Sequence, residues 1–434
     1  MERLIYPSLL DWKTESERKP LLLHGARQVG KTYVVRQLGK TFKYYLEVNF
    51  EREPEVKTFF NQNLTPDHII EKLTAYYNIP VVDNQTLLFL DEIQSCIPAI
   101  QSLRFFHEMR SELHVIAAGS LLEFALEEIP SFGVGRIRSL FMYPLSFNEF
   151  LKAVGKEQLI PIKAAASPQK PVDEVFHRQL TELFIRFLLI GGMPEVVQTY
   201  IKSNDLLKTQ RVLDDIIITM EDDFAKYKSK INTSRLKDVY LSVINQTGNK
   251  FNLTKSSEIG NHEQKKQALE MLLMAGLCYK VNHSSANGLP LAVEKKEKVY
   301  KVVFFDTGIL QRSLKLSIND FILANSIDMI NKGNIAEQFV ALELLKKKFQ
   351  NSKPELFYWH RETKGSNAEV DYLTEKNKHI IPIEVKSGNQ GKMQSLFVFL
   401  KEKKQPYGIR TSLENFAQYD DIKVFPLYAI DQLF

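Results

Sequence analysis

The chain has only two cysteines, Cys96 and Cys278, far apart and outside any metal-ligand spacing. That excludes a disulfide framework or a cysteine-rich zinc site and points to two buried thiols in a reducing compartment. No stretch approaches the ~18 uncharged apolar residues of a membrane helix; the greasiest run, "LFIRFLLIGGM", carries Arg186. The opening "MERLIYPSLLDWK" has no apolar core between its charges and proline, so no signal peptide is expected. Neither sign of charge dominates: the net charge is +5, which permits a nucleic-acid partner without arguing for one. Internal repeats and low-complexity tracts are also missing. What is present is ordinary for a globular cytoplasmic protein, 44% hydrophobic and 25% charged residues. A length of 434 residues suggests about two to four domains and no membrane partner.

From Lys19 to about Pro144, short apolar runs alternate with helical stretches. "LLLHG", "YYLEVNF", "TLLFLDE" and "HVIAAGS" are nearly continuous apolar runs, as expected of strands buried on both faces of a parallel sheet. Helical candidates lie between them, which implies α/β winding. The proline- and alanine-containing stretch 157–176 reads as a loop or linker. Residues 174–247 read as helical. "QKKQALEMLLMAGLCYKV" reads as a helix running into a strand, followed by a turn (Ser284 to Gly288) and the strand "VYKVVFFD". Helices closed by a hairpin resemble a winged-helix module. A last block, 327–434, opens on the helix "GNIAEQFVALELLKKKF".

"GARQVGKT" fits G-x-x-x-x-G-K-[ST] between a strand and a helix. Gly25, Ala26, Arg27, Gln28, Val29 and Gly30 would wrap backbone N–H groups around a phosphate at a helix N-terminus. Lys31 would reach the β- and γ-phosphates, and the Thr32 hydroxyl would ligate Mg²⁺. The apolar strand "LLFLDE" ends on Asp91, which would hold Mg²⁺ through water, and Glu92, which would polarise the attacking water. Ser120, ending "HVIAAGS", is either a γ-phosphate sensor or a turn serine. Arg136 in "GVGRIRSL" is a candidate arginine finger, with Arg138 as its alternative or both as surface residues.

Together, "LLLHGARQVGKT", "LLFLDEIQ", "AAGSLL", "GRIRSLFMYPLSFNEFL", "GGMPEVV", "VFFDTGIL", "GNIAEQFV" and "EVDYL…IPIEVKSG" resemble a bacterial and archaeal family of AAA-type ATPases. Its members carry a C-terminal conserved domain of unknown function with a restriction-endonuclease-like fold. The resemblance implies a multidomain α/β protein: an AAA-type P-loop core at 1–173, a helical lid at 174–230, a winged-helix-like domain at 231–326 and a nuclease-like α/β domain at 327–434.

In "EVDYLTEKNKHIIPIEVKSG", residues two apart share a strand face, so Glu384 and Lys386 point together. A turn at 376–379 would set Asp371 opposite Glu384, two carboxylates that repel unless a cation lies between them. This is the D…E-x-K pattern of restriction-type nucleases, with Glu337 as the additional acidic residue. The expectation is one Mg²⁺ held by Glu337, Asp371 and Glu384, with Lys386 beside a metal-bound water; the bland alternative is an inactive relic with Asp371 and Lys386 ion-paired. The functional expectation is an ATP- and Mg²⁺-dependent, DNA-associated ATPase, open to homo-oligomers, whose C-terminal domain cuts or holds nucleic acid. Its rivals are an ATP-dependent switch or scaffold with an inactive nuclease-like module, and a nucleic-acid motor that does not cut.

Overall fold

The apolar runs of the N-terminal part do become strands. A computed structural model of the protein describes residues 1–127, 129, 135–227, 231–256, 260–316, 333–363, 365, 367–388 and 393–433. Strands β1 (Leu21–His24), β2 (Tyr44–Asn49), β3 (Thr86–Asp91), β4 (His114–Ala118) and β5 (Arg138–Phe141) form a sheet in the order β2-β3-β4-β1-β5. Every pairing in it is parallel. Strands β1, β3 and β4 are buried at every position, which is why they read as continuous apolar runs. Helices α1 (Tyr6–Thr14), α2 (Lys31–Gly39), α3 (Pro66–Tyr77), α4 (Ile97–Met109) and α5 (Leu122–Glu127) accompany this sheet.

The chain then turns helical: α6 (Phe147–Ala153), α7 (Leu159–Ala164), α8 (Glu174–Ile190), α9 (Pro194–Ser203), α10 (Leu206–Asp223), α11 (Thr233–Asn245) and α12 (His262–Met274). The stretch 157–176, expected to be a linker, holds α7 and is fastened to the far end of the chain. Buried Lys163 pairs with Asp431 at 2.6 Å and donates to the Tyr428 carbonyl at 3.1 Å. Its Pro161 lies within the first turn of α7, where a missing N–H costs little.

Next come β6 (Cys278–Ser284), β7 (Lys295–Phe304), α13 (Thr307–Ser313), α14 (Gly333–Lys348), β8 (Leu356–His360), β9 (Glu369–Lys376), β10 (His379–Val385), α15 (Gln394–Lys403), β11 (Gly408–Ser412), β12 (Ala417–Tyr419) and β13 (Ile422–Pro426). Among the described residues they form one mixed sheet of eight strands, β12-β13-β11-β10-β9-β8-β6-β7. This sheet crosses the expected boundary at 326/327. The β6–β7 hairpin, assigned by sequence to the segment before it, is the end of the C-terminal sheet, with Val281 of β6 paired in parallel to Leu356 of β8.

The two sheets share a core. One continuous set of buried apolar residues runs from Ile5 to Leu433. Within it Phe184 of α8 meets Phe339 of α14 edge-to-face, ring centroids 4.8 Å apart. No helix among the described residues is long and apolar enough to cross a membrane.

Candidate functional site

The phosphate-binding sequence leaves β1 at the carboxyl edge of the parallel sheet, where α/β folds bind ligands. Gly25 is required there: its φ is +144°, and a Cβ would sit 2.2 Å from the Met142 carbonyl oxygen. Gln28 and Gly30 also hold positive φ (63° and 96°), and α2 starts at Lys31 without a side-chain cap. The first N–H groups of α2 are thus left for a ligand. Lys31 is buried and donates to the carbonyls of Gly25 (2.7 Å) and Ala26 (2.9 Å). Burial pulls its pKa down to about 8, although Glu92 and Asp91 act in the opposite direction.

Thr32 and Asp91 meet as the sequence reading requires: the Thr32 hydroxyl donates to Asp91 Oδ2 at 3.1 Å. Asn49, at the end of β2, donates to the same oxygen at 3.3 Å; sequence reasoning missed it, although a polar residue closing an apolar strand was the available signal. Burial, followed by the charge of Glu92, pushes the Asp91 carboxyl up. A hydroxyl and a carboxylate form an oxygen donor set suited to Mg²⁺. Glu92 adopts left-handed backbone, φ 51°, an uncommon state for a non-glycine residue that clusters at functional sites. Its carboxylate is held by the Gln94 side-chain amide at 2.7 Å. Gly119 leaves room for that amide, since a Cβ there would lie 2.0 Å from Gln94 Oε1. Ser120 lines a cavity of about 490 Å³ together with Gly25 and Gly119.

Beneath the loop lies a residue that sequence reasoning passed over. Arg3 is buried, donating to the carbonyls of Val29 (2.5 Å) and Tyr143 (2.6 Å) and pairing with Glu149 at 2.8 Å. Glu149 also accepts from the backbone N–H groups of Ser146 and Leu4, each at 2.6 Å. Burial pushes the Glu149 carboxyl up, but Arg3 and those N–H groups more than reverse it and hold it below the usual carboxylate range. Arg3→Ala leaves this carboxylate buried without its cation and is expected to destabilise the protein by about 3–5 kcal/mol. The urea midpoint of the variant against the parent measures this; a loss below about 1 kcal/mol would remove Arg3 from the support of the loop.

Arg136 and Arg138 lie at the wrong end of the sheet to serve the loop of their own chain. Arg138 pairs with Leu21 and Phe141 with His24, so β5 begins at the edge opposite Gly25. Its four residues separate Arg138 from the loop end by roughly 10 Å along the strand. Arg136 is ion-paired with Glu108, and Arg138 with Glu15 at 2.5 Å. Besides Arg3, Arg27 within the loop adjoins it, bonded to Asp223 of α10 at 2.6 Å. Gly276, between α12 and β6, also lies against the loop: a Cβ on it would be 3.3 Å from the Ala26 nitrogen.

In the second sheet the expected register holds. Ile383 pairs with Tyr372 across the β9–β10 hairpin, which sets Glu384 opposite Asp371. The Val385 N–H donates to Asp371 Oδ2 at 2.7 Å, and Lys386 pairs with Glu384 at 2.6 Å. Glu337 adjoins from α14, its carbonyl accepting from the Tyr372 hydroxyl at 2.9 Å. Lys301 of β7 was not foreseen. Its Nζ lies 2.6 Å from Glu369, 3.6 Å from Glu337 and 3.9 Å from Asp371. Among the described residues, no group of three or more His, Cys, Asp or Glu is arranged to hold a metal ion. The three carboxylates expected to hold Mg²⁺ are divided between two lysines, Glu337 and Asp371 facing Lys301 and Glu384 drawn to Lys386. Burial, then the neighbouring Asp371 charge, pushes the Glu337 and Glu384 carboxyls up. Burial works against the Lys301 ammonium, but Glu337, Asp371 and Glu369 outweigh it and raise its pKa.

The phosphate loop, the Thr32–Asp91 contact and the parallel five-strand order converge with one comparison. Residues 17–151 match an AAA domain. This stretch, which holds the five-stranded parallel sheet and the Gly25–Thr32 loop, is thus similar to AAA-type P-loop ATPase domains. Beyond it, residues 181–320 and 332–430 match two families described as domains of unknown function, DUF8612 and DUF4143. No curated protein matches the chain. Among solved structures, the Walker-type ATPase PABY2304 of Pyrococcus abyssi is 13% identical over 72% of this chain and 95% of its own, with a TM-score of 0.45. The ORC1 protein of Aeropyrum pernix, solved in complex with DNA, is 13% identical over 74% of this chain and 92% of its own, with a TM-score of 0.29.

Proposed function

We propose that the protein binds and hydrolyses ATP with Mg²⁺ at Gly25 to Thr32, Asp91 and Glu92. The observation that carries this reading is the Thr32–Asp91 contact at 3.1 Å beside a buried Lys31. Thr32 and Asp91 would hold Mg²⁺, directly and through water, and the ion would neutralise charge on the phosphates. Lys31 exchanges its two carbonyl partners for phosphate oxygens. Glu92, one residue beyond Asp91, orients the attacking water, and Ser120 senses the γ-phosphate from the end of β4. Arg136, placed away from its own loop, serves as a finger for a neighbouring copy in a homo-oligomer.

The rest of the reading is architectural. Helices α8 to α10 act as the lid, α11 and α12 with the β6–β7 hairpin as a winged-helix-like element, and the C-terminal sheet as a restriction-endonuclease-like module that holds DNA in the cytoplasm. A second reading, an ATP-dependent switch whose nuclease-like module does not cut, is favoured by Lys301 among the carboxylates. Phosphate release from ATP by the intact chain tests the proposal: it should require Mg²⁺ and rise when DNA is added. Absence of release under any of these conditions would refute it; release indifferent to DNA would refute the DNA partner alone. Arg136→Ala should leave turnover unchanged in dilute solution and lower it only where turnover per subunit grows with protein concentration. Lost turnover in the dilute monomer would contradict the placement of Arg136.

A further inference from the structure

The carboxylate cluster of the C-terminal sheet contains a cation that belongs to the protein. Lys301 is anchored on β7 between Tyr300 and the buried Val302, and its side chain is 3% exposed. The ammonium has three N–H donors and no acceptor capacity. It faces Glu369, Glu337 and Asp371 at 2.6, 3.6 and 3.9 Å, and the Tyr358 ring closes a further side, its centroid 5.2 Å away. Those carboxylates come from α14 and β9, so the ammonium lies where a helix and the hairpin converge, beside Glu337 and Asp371, carboxylates expected from the sequence to hold a divalent ion.

Two further observations agree. Glu384 Oε1 is already engaged by Lys386 at 2.6 Å, whereas Glu384 Oε2 is buried with no hydrogen-bond partner. Asp371 Oδ2 is spent on the Val385 N–H at 2.7 Å. Glu384 Oε1 and Asp371 Oδ2 are thus turned toward the protein's own donors, whereas Glu384 Oε2 and Glu337 Oε2 have no hydrogen-bond partner. A divalent ion entering the same cage would stand within a few ångström of a buried ammonium, and like charges repel most where water is excluded.

We infer that Lys301 is the resident cation of this cluster, so that the C-terminal module takes up no divalent ion there and does not cleave phosphodiester bonds. The inference is independent of the ATPase reading and sharpens the choice between a cutting and a non-cutting module. Its test is Mn²⁺ binding to the full, nucleotide-free chain, followed by electron paramagnetic resonance, in the parent, Asp371→Asn, Lys301→Met and the double variant. Bound Mn²⁺ should be the same in the parent and in Asp371→Asn. Lys301→Met should gain one Mn²⁺ per chain, lost again in the double variant. The inference is overturned if the parent binds a Mn²⁺ that Asp371→Asn removes, or if folded Lys301→Met gains none. Should Lys301→Met fail to fold, plasmid cleavage by the parent in Mn²⁺ decides: Asp371-dependent nicking overturns the inference, and none supports it. ATP turnover, measured on the same samples, reports separately on the other site.

Discussion

Alanine at position 31 will weaken ATP binding at least ~100-fold, equivalent to about 3 kcal/mol. A hydrogen bond between a charged donor and a phosphate oxygen contributes about 1.5–3 kcal/mol net, more where water is excluded, and Lys31 is placed to make two. Its pKa in the nucleotide-free chain gives the effect a pH signature. Burial holds the ammonium at about 8, so above that pH the empty site carries a neutral amine. Phosphates favour the protonated form, and ATP binding therefore draws in a proton. Affinity should be constant well below pH 8 and fall as pH rises above it, by up to tenfold per unit. Anisotropy of a fluorescent ATP analogue across pH 7–9.5 would show the decline in the parent and a flat, weak profile in Lys31→Ala. Parental affinity in that variant would mean that the loop at Gly25 to Thr32 is not the phosphate site.

The sites that could be read from sequence are those whose chemistry is local in the chain. The loop from Gly25 to Thr32 lies between a strand and a helix within a dozen residues, and Asp91 closes an apolar strand, so both carry their context with them. The β9–β10 register was legible for the same reason: a short turn fixes which side chains oppose each other. What was hidden depends on contacts distant in sequence. Arg3 meets Val29, Tyr143 and Glu149 through folding alone, and a lone arginine near the start of a chain shows no pattern. Strand β5, "RSLF", is too short and too polar to stand out, yet its pairing with β1 is what moves Arg136 away from the loop. Lys301 sits in "VYKVVFFD", a run that announces a strand, but its partners Glu337, Glu369 and Asp371 are supplied by elements further along. That the C-terminal sheet crosses 326/327 was hidden for a related reason: a hairpin read as local structure pairs with β8 more than fifty residues later.

The identity of the nucleotide left on the protein tests the central claim most directly. Glu92 follows Asp91 in left-handed backbone, and its carboxylate is fixed by Gln94 at 2.7 Å; in the proposed reading it orients the attacking water. Glu92→Gln keeps the shape and the loop but loses the base, and proton transfer by a placed side chain contributes about 10²–10⁴ in rate. Parent and Glu92→Gln would be incubated with MgATP, separated from free nucleotide, and the bound nucleotide identified alongside phosphate release. The account predicts ADP and phosphate from the parent, and intact ATP on Glu92→Gln with turnover lowered ~100-fold or more at unchanged affinity. Equal phosphate release from the two proteins, or a Glu92→Gln variant that holds no ATP, would contradict it.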